Sequence, residues 1–496
     1  MADVEKNPET NVIAGAAVAG SAENVPPEGL DGWIYRRRKV GAWTLTYYAS
    51  PLSQILLLSF CLFLLPGMSN ALSGLGGGGQ LDPTVANNAT VATYCSFAFF
   101  AFFSGSIINM IGSRWGLASA GIGYTTSVLS YICYNHTGNS GFVIFAGALA
   151  GFTAALLWTA QGAILLAYPH ESQKGKYISL NWAIFNMGAV IGALIPLGQT
   201  IHGSGSSVGD GTYAAFAVLM FAGGIVGLCI LPAKKVVRPD GSRVILMKHP
   251  SWKTEFLGLW ELLRTDYFVV LLFPMFLSSN WFYTYQFNDF NLAIFNARTR
   301  SLNNVVYWAM QIVASFVFGF ALDWTRFSRP VRARVCWVAL LLLTLAIWGG
   351  ALKHQSHWSR SDVKPTADAR MDWSSPGYGG LFVLYIFWGF YDAAWQTSIY
   401  WYMGSLSNSA RKLAMYVGFY KSIQSAGSAI VYRLDTLAVS YNAMFGIAWG
   451  LLLGGLVFAF PLIWFKITPE TSLEADLEFA DEVAADVEPA FATEKA

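Results

Sequence analysis

Read from its N-terminus, the chain alternates long apolar runs with short polar interruptions, and the runs share one characteristic length. A helix needs about 20 apolar residues to cross the hydrocarbon core of a bilayer. Stretches of that kind lie near 51–72, 87–111, 115–134, 141–168, 177–201 and 211–232. Six more follow near 267–288, 303–322, 333–352, 377–404, 411–434 and 439–466. The pattern predicts an all-α integral membrane protein with twelve transmembrane helices. The fourth and tenth runs are long enough to tilt. From Ala233 to Asp266 the chain turns basic and carries Pro239 and Pro250, which divides six spans from six. The expected organisation is a tail at 1–50, a six-helix bundle at 51–232, a linker at 233–266, a second bundle at 267–466 and an acidic tail at 467–496.

Composition agrees with that reading. Hydrophobic residues make up 54% of the chain and charged residues only 12%, against about 25% charged in soluble proteins. Mean hydropathy is +0.44. A formal net charge of +2 gives no reason to expect nucleic acid, so the placement of charge carries the information. Lys and Arg concentrate in cytosolic loops. With a cytosolic N-terminus, "YRRRK" (35–39), Lys174, Lys176, the bases between Lys234 and Arg264, and Arg326, Arg329, Arg332 and Arg334 all fall inside. Arg114, Arg411, Lys412 and Lys466 join them, while the first three outer loops hold no base and the outer side as a whole holds Arg298, Arg300, Lys353, Arg360, Lys364 and Arg370. Both termini are therefore expected in the cytosol, in either the plasma membrane or an endomembrane. The first residues lack a basic stretch followed by an apolar core, so no cleaved signal peptide is expected. The sequons at Asn88 ("NAT") and Asn135 ("NHT") both fall on the outer side, where such sites accept glycans. The five cysteines all lie in apolar stretches and read as small buried hydrophobes.

The two halves resemble each other. "GSIINMIGSR" (105–114) and "GFALDWTRFSR" (319–329) both place Gly, then Asn or Asp, then bases at the end of a span. Gly151 and Phe152 match Gly389 and Phe390, and Gly188 matches Gly427, at nearly the same separation. A common spacing across such a divide points to two parallel six-helix repeats. That layout resembles the major facilitator superfamily. The Gly319–Asp323–Arg326 run looks like the superfamily's loop motif, which implies a conformational latch at Asp323 and Arg326, with Asn109 standing at the acid's place in the first half. A narrower resemblance is carried by "PGMSNALSGLGGGGQ" (66–80), "LLWTAQGAILLAYP" (156–169) and "FNMGAVIGALIPLG" (185–198), which look like fungal members of the Unc-ninety-three-like family. That resemblance implies a major facilitator fold. It leaves two functions open, because animal members of the family are channel regulators or trafficking partners of receptors.

Ionisable groups inside spans are costly and normally face a cavity or a partner. Asp392 in "WGFYDAAWQTSIYW" and Lys421 in "VGFYKSIQSAGS" lie in the tenth and eleventh spans. Helical spacing groups Asp392 with Trp395 and Gln396, and Lys421 with Gln424. Two readings stand side by side: a substrate- or proton-coupling pair, or a permanent ion pair locking two helices. By superfamily analogy the fourth span offers Trp158 and Gln161 to a central cavity, and the seventh offers Asn280, Tyr283 and Gln286. Together they suit a small organic solute with proton coupling, though interhelical hydrogen bonding explains any one of them alone. Asp323 reads as a latch and not as a binding residue. Arg433 and Asp435, at the outer end of the eleventh span, are explained by snorkelling.

Soluble-enzyme motifs such as H-E-x-x-H, G-x-x-x-x-G-K-[ST] and C-x-x-C are missing, and the six histidines are scattered. No catalytic site, metal or cofactor is expected. The expected partners are the bilayer, a small organic solute and, on the alternative reading, a second membrane protein. "LSGLGGGGQLDP" (72–83) matches the dinucleotide fingerprint at Gly74, Gly76 and Gly79. A fingerprint of that kind needs a strand before it and a helix N-terminus after it. Here a membrane span precedes it, so the run reads as a hinge at the outer mouth, supplied by glycine's conformational freedom.

Overall fold

A computed structural model of the chain describes residues 32–40, 43–80, 82–169, 174–201, 208–238, 267–366, 369–406 and 410–469, together with Val244 and Arg264. The N-terminal tail up to residue 31, nearly all of the linker beyond Arg238 and the acidic tail from residue 470 lie outside the described residues. Twelve long helices carry the fold. The first six are α1 (Pro51–Gly74), α2 (Thr84–Ile111), α3 (Ser113–Thr137), α4 (Ser140–Ala167), α5 (Lys174–Thr200) and α6 (Asp210–Cys229). The second six are α7 (Phe268–Leu292), α8 (Ala297–Asp323), α9 (Arg329–Gln355), α10 (Tyr378–Leu406), α11 (Ala410–Thr436) and α12 (Tyr441–Lys466). Before α1, the three-residue strands Arg38–Val40 and Trp43–Leu45 pair antiparallel.

Nine of the twelve, among the described residues, are both long and apolar enough to cross a membrane unaided. The exceptions are α3, α10 and α11, which are long enough but carry more polar and amphipathic side chains. Such helices are tolerated in a bilayer when their polar faces are turned inward, towards other helices.

Local sequence explains how the helices begin and bend. Ser50 caps α1 by accepting from the Ser53 amide, with Pro51 at the first helical position. Pro66 lies inside the same helix, and the segment Phe63–Gly67 widens to a π turn. Proline removes one backbone donor and crowds the preceding turn, so the wider turn relieves both.

Small residues let helices approach closely in a membrane, and the matched glycines perform matched tasks. A Cβ on Gly188 of α5 would lie 2.4 Å from the Phe63 carbonyl of α1, and one on Gly427 of α11 would lie 2.5 Å from the Leu277 carbonyl of α7. A Cβ on Gly151 of α4 would lie 2.1 Å from the Thr93 carbonyl of α2, and one on Gly389 of α10 would lie 2.4 Å from the Tyr307 carbonyl of α8. The contact of α5 with α1 is thus repeated by α11 with α7, and that of α4 with α2 by α10 with α8. The two sets of six helices meet through α5 against α8 and α2 against α11.

At one end of the bundle, where the linker leaves α6, the Tyr47 hydroxyl donates to the Val237 carbonyl at 2.9 Å and the Leu231 amide donates to Gln54 Oε1 at 2.7 Å. At the opposite end the loop Gly76–Gly79 is clamped between the halves. All four glycines have positive φ, from 55° to 87°. The Gly77 amide donates to Asn288 Oδ1 at 2.8 Å, and Asn291 donates to the Gly74 carbonyl at 3.1 Å. Asn304 of α8 adds a bond of 2.6 Å to the Ala71 carbonyl of α1. The glycine run is therefore a seal in this structure and not an open hinge.

The loop between α9 and α10 is pinned at the same end. Asp372 accepts from Arg298 Nε at 2.6 Å, Arg298 Nη2 at 2.7 Å and Asn296 at 2.9 Å. Arg298, helped by Ser374 and Asn296, holds the Asp372 carboxyl well below the usual carboxylate range. A carboxyl lowered in the folded state stabilises above its ordinary range, and that contribution is lost only as pH falls through the lowered value. Asp372→Asn is accordingly expected to lower the melting temperature equally at pH 5 and pH 8. A loss confined to pH 8 in thermal melting would contradict this.

Candidate functional site

The polar residues of the second half converge at mid-bundle because α7 is irregular. Its helix breaks at Asn280 (φ −123°, ψ 1°), resumes over Trp281–Thr284 and then widens to a π segment over Tyr285–Leu292. π segments recur at functional positions because they redirect side chains within a helix. Every residue of that segment is buried, including Gln286, Asn288, Asp289 and Asn291.

Asp392 is fully buried in α10 and is surrounded by donors. Its Oδ2 accepts from the Tyr283 hydroxyl at 2.8 Å and from Gln311 at 2.5 Å, and its Oδ1 accepts from Gln396 at 2.7 Å. The Tyr307 hydroxyl lies 3.2 Å from Oδ2 and 2.8 Å from Gln286 Oε1, and its one proton serves one acceptor at a time. Lys421 of α11 donates to Gln424 Oε1 at 2.9 Å, and its ammonium stands 5.0 Å from the Tyr420 ring centroid and 5.7 Å from that of Tyr400. Among the described residues, no Lys or Arg nitrogen lies within 4.0 Å of the Asp392 carboxylate. Asp392 and Lys421 are instead joined through amides. Gln424 donates to Asn280 Oδ1 at 2.8 Å and lies 3.4 Å from Gln396 Oε1, and Gln396 reaches Asp392. The permanent ion pair is thus not formed.

The first half meets this cluster through rings. Trp158 of α4 stacks on Trp182 of α5 at 6.3 Å, and Trp182 meets Tyr400 of α10 at 6.2 Å. Gln161 is buried in α4, one turn from Trp158, and makes no hydrogen bond to the Asp392 cluster among the described residues. Trp395 departs from expectation. It is fully buried and donates to the Met275 carbonyl of α7 at 3.2 Å, so it packs helix on helix and does not join the cluster.

The remaining expected residues lie elsewhere. Asp323 and Arg326 are exposed at the linker end and are not paired with each other, and Asn109 is exposed in the last turn of α2. Asn88 lies half-buried in the second turn of α2, and Asn135 is exposed at the end of α3 with its amide donating to Asp210 at 2.8 Å. Asp435 needs correction. It is buried, accepts from Asn87 at 2.7 Å and from Arg360 at 2.6 Å, and so is held and not snorkelling. Burial opposes the charge on Arg360, but Asp289 and Asp435 more than restore it and raise its pKa above the ordinary arginine value.

Sequence reasoning missed Tyr307 and Gln311 of α8. With Arg300 and Asn304 they recur at helical spacing on one face, a polar stripe within a span that marks a buried polar seam.

Comparison with known proteins decides the family. A family model described as "Ion channel regulatory protein UNC-93" matches residues 83–459. This chain belongs to the UNC-93 family. An UNC93-like protein of Schizosaccharomyces pombe is 50% identical over 465 residues, covering 94% of this chain and 91% of that one. UNC93-like protein 1 of Arabidopsis thaliana is 40% identical over 407 residues, covering 82% and 88%. Among solved structures, the xylose transporter XylE from E. coli, in a partially occluded inward-open conformation, aligns with a TM-score of 0.59 at 12% identity, covering 84% of this chain and 98% of that one. That likeness establishes the fold: this UNC-93 family member is a multi-pass membrane protein with a major facilitator-like architecture of two six-helix repeats. The family and the fold are those of membrane transporters or regulators.

Proposed function

We propose that this UNC-93 family protein is a secondary transporter that moves a small organic solute by alternating access and couples the movement to protons at Asp392. The observation that carries the reading is a buried carboxylate facing four donors, with no Lys or Arg nitrogen within 4.0 Å among the described residues. If Asp392 takes up a proton, it donates to the Tyr307 oxygen while Tyr307 donates to Gln286, so each of these groups is satisfied. Without the proton, Tyr307 must leave one acceptor unserved. The cluster therefore supports two protonation states with the same heavy-atom positions. Lys421, close to Tyr400 and Tyr420 and with no carboxylate oxygen within 4.0 Å among the described residues, suits an anionic group on the solute. On this reading residues 51–232 and 267–466 rock against each other about the cluster. The Lys and Arg bias supports an orientation with the linker end and both termini in the cytosol, and the glycine loop and any glycan at Asn88 or Asn135 outside.

The test is uptake of a broad panel of small organic solutes into vesicles holding the purified protein, with and without a pH gradient. Accumulation of at least one solute only under the gradient is expected. A folded protein that moves none of the panel under either gradient polarity would count against the proposal. Lys421→Gln is expected to weaken solute binding about tenfold without unfolding the protein, as read by solute-induced thermal shift. The rival reading, a regulator or escort of another membrane protein, is favoured by the description of the matched family. It expects co-purification with one membrane partner at fixed stoichiometry, undisturbed by Asp392→Asn or Lys421→Gln.

A further inference from the structure

Arg300 lies in the first turns of α8 and is only 1% exposed. None of its three guanidinium nitrogens has a hydrogen-bond acceptor among the described residues. Three other arginines at this end of the bundle are provided for. Arg298 is paired with Asp372 and Arg360 with Asp435, and Arg370 donates to the carbonyls of Leu292 at 2.6 Å and Lys364 at 3.2 Å. The charged and titratable groups that act on Arg300 are Arg370, Tyr213 and Tyr385: a second cation and two phenols, with no carboxylate. The Tyr385 hydroxyl is also buried without a partner.

A guanidinium stays charged at neutral pH. Burying one without an acceptor, beside a second guanidinium, is among the least favourable arrangements a core can hold. Each such buried group calls for an explanation. The unserved groups here are the fork of Arg300 donors and a phenolic O–H, and donors of that kind serve an anion. Arg300 and Tyr385 are both almost fully buried, so the anion must be small.

We propose that Arg300, supported by Arg370 and Tyr385, forms a site for a small monovalent anion of the chloride class within the glycine-loop seal. Tyr213 belongs to α6 and donates to the Gly78 carbonyl at 2.8 Å, whereas Arg300 and Tyr385 belong to the second half. The anion therefore sits where the halves meet and favours the state closed at this end. This holds whether or not the protein transports anything.

The experiment is thermal melting of the purified full-length protein in sodium chloride against sodium gluconate at equal ionic strength, with retention of radioactive chloride measured in parallel. Wild type is expected to melt about 3 °C or more higher in saturating chloride and to retain chloride saturably. Arg300→Gln is expected to lose both responses. Should that variant fail to fold, Tyr385→Phe serves, since it removes only an unpartnered hydroxyl. It is expected to weaken the chloride response about threefold or more. Equal melting of wild type in both salts overturns the proposal, as does a wild-type chloride response in Arg300→Gln or in Tyr385→Phe.

Discussion

Gly76→Ala is expected to destabilise the protein far more than Gly77→Ala, although the two glycines are adjacent in one loop. Both have positive φ, 78° and 55°, and a side chain there costs about 1–2 kcal/mol. The difference lies in what the new methyl group meets. At Gly76 it would stand 2.1 Å from the Phe287 carbonyl oxygen and 2.7 Å from Leu292 Cβ. Relief requires α7 to move off the loop, which breaks the 2.8 Å bond from the Gly77 amide to Asn288. At Gly77 the nearest atom is the Leu292 Cδ2 methyl at 3.0 Å, the far end of a flexible side chain, and the nearest backbone atom is Pro83 Cα at 3.2 Å. Gly76→Ala is expected to cost about 3 kcal/mol or more against the sealed state, with a fall in melting temperature at least twice that of Gly77→Ala. Equal shifts for the two variants in thermal melting would remove the glycine loop as the seal.

Asp392→Asn is expected to fold, and to abolish accumulation driven by a pH gradient while leaving solute exchange intact. An asparagine whose Oδ1 takes the place of the Asp392 Oδ2 keeps the acceptor for Tyr283, Tyr307 and Gln311. Only the contact with Gln396 is then donor against donor. The variant removes the charge and the exchangeable proton at this position, so gradient-driven uptake should fall at least tenfold in vesicles, while counterflow of labelled solute continues. Asp392→Ala is different. It strands three donors, Tyr283, Gln311 and Gln396, in a dry interior, each left unsatisfied at about 1–3 kcal/mol, and is expected to express poorly or melt much lower. If Asp392→Asn accumulates solute under a gradient as wild type does, protons are not coupled at this carboxyl.

Much of the site was legible because a charge within an apolar run is visible in one dimension. Asp392 and Lys421 stand out on that ground alone, and the amides beside them follow from helical spacing. Their partners did not stand out. Tyr307 and Gln311 are residue types that also occur as ordinary interhelical contacts, and nothing local says that they point at a carboxylate on another helix. Trp395 shows the limit of the spacing argument. Residues three and four positions after Asp392 lie on opposite flanks of its direction, so Gln396 turns to the cluster while Trp395 turns to the Met275 carbonyl. Asp435 shows the limit of reasoning from position, since a loop arginine, Arg360, folds back to meet it.

The sequence by itself determined the twelve helices, their division into two sets of six and the family, because apolar length, basic interruptions and repeated small residues are properties of consecutive positions. Only the tertiary structure decided that Asp392 and Lys421 meet through amides, that four glycines close one end of the bundle, and that Arg300 is buried among donors. The physical reason is that hydrophobic length acts along the chain, whereas a buried polar group is defined by the distances to its partners, which lie on other helices.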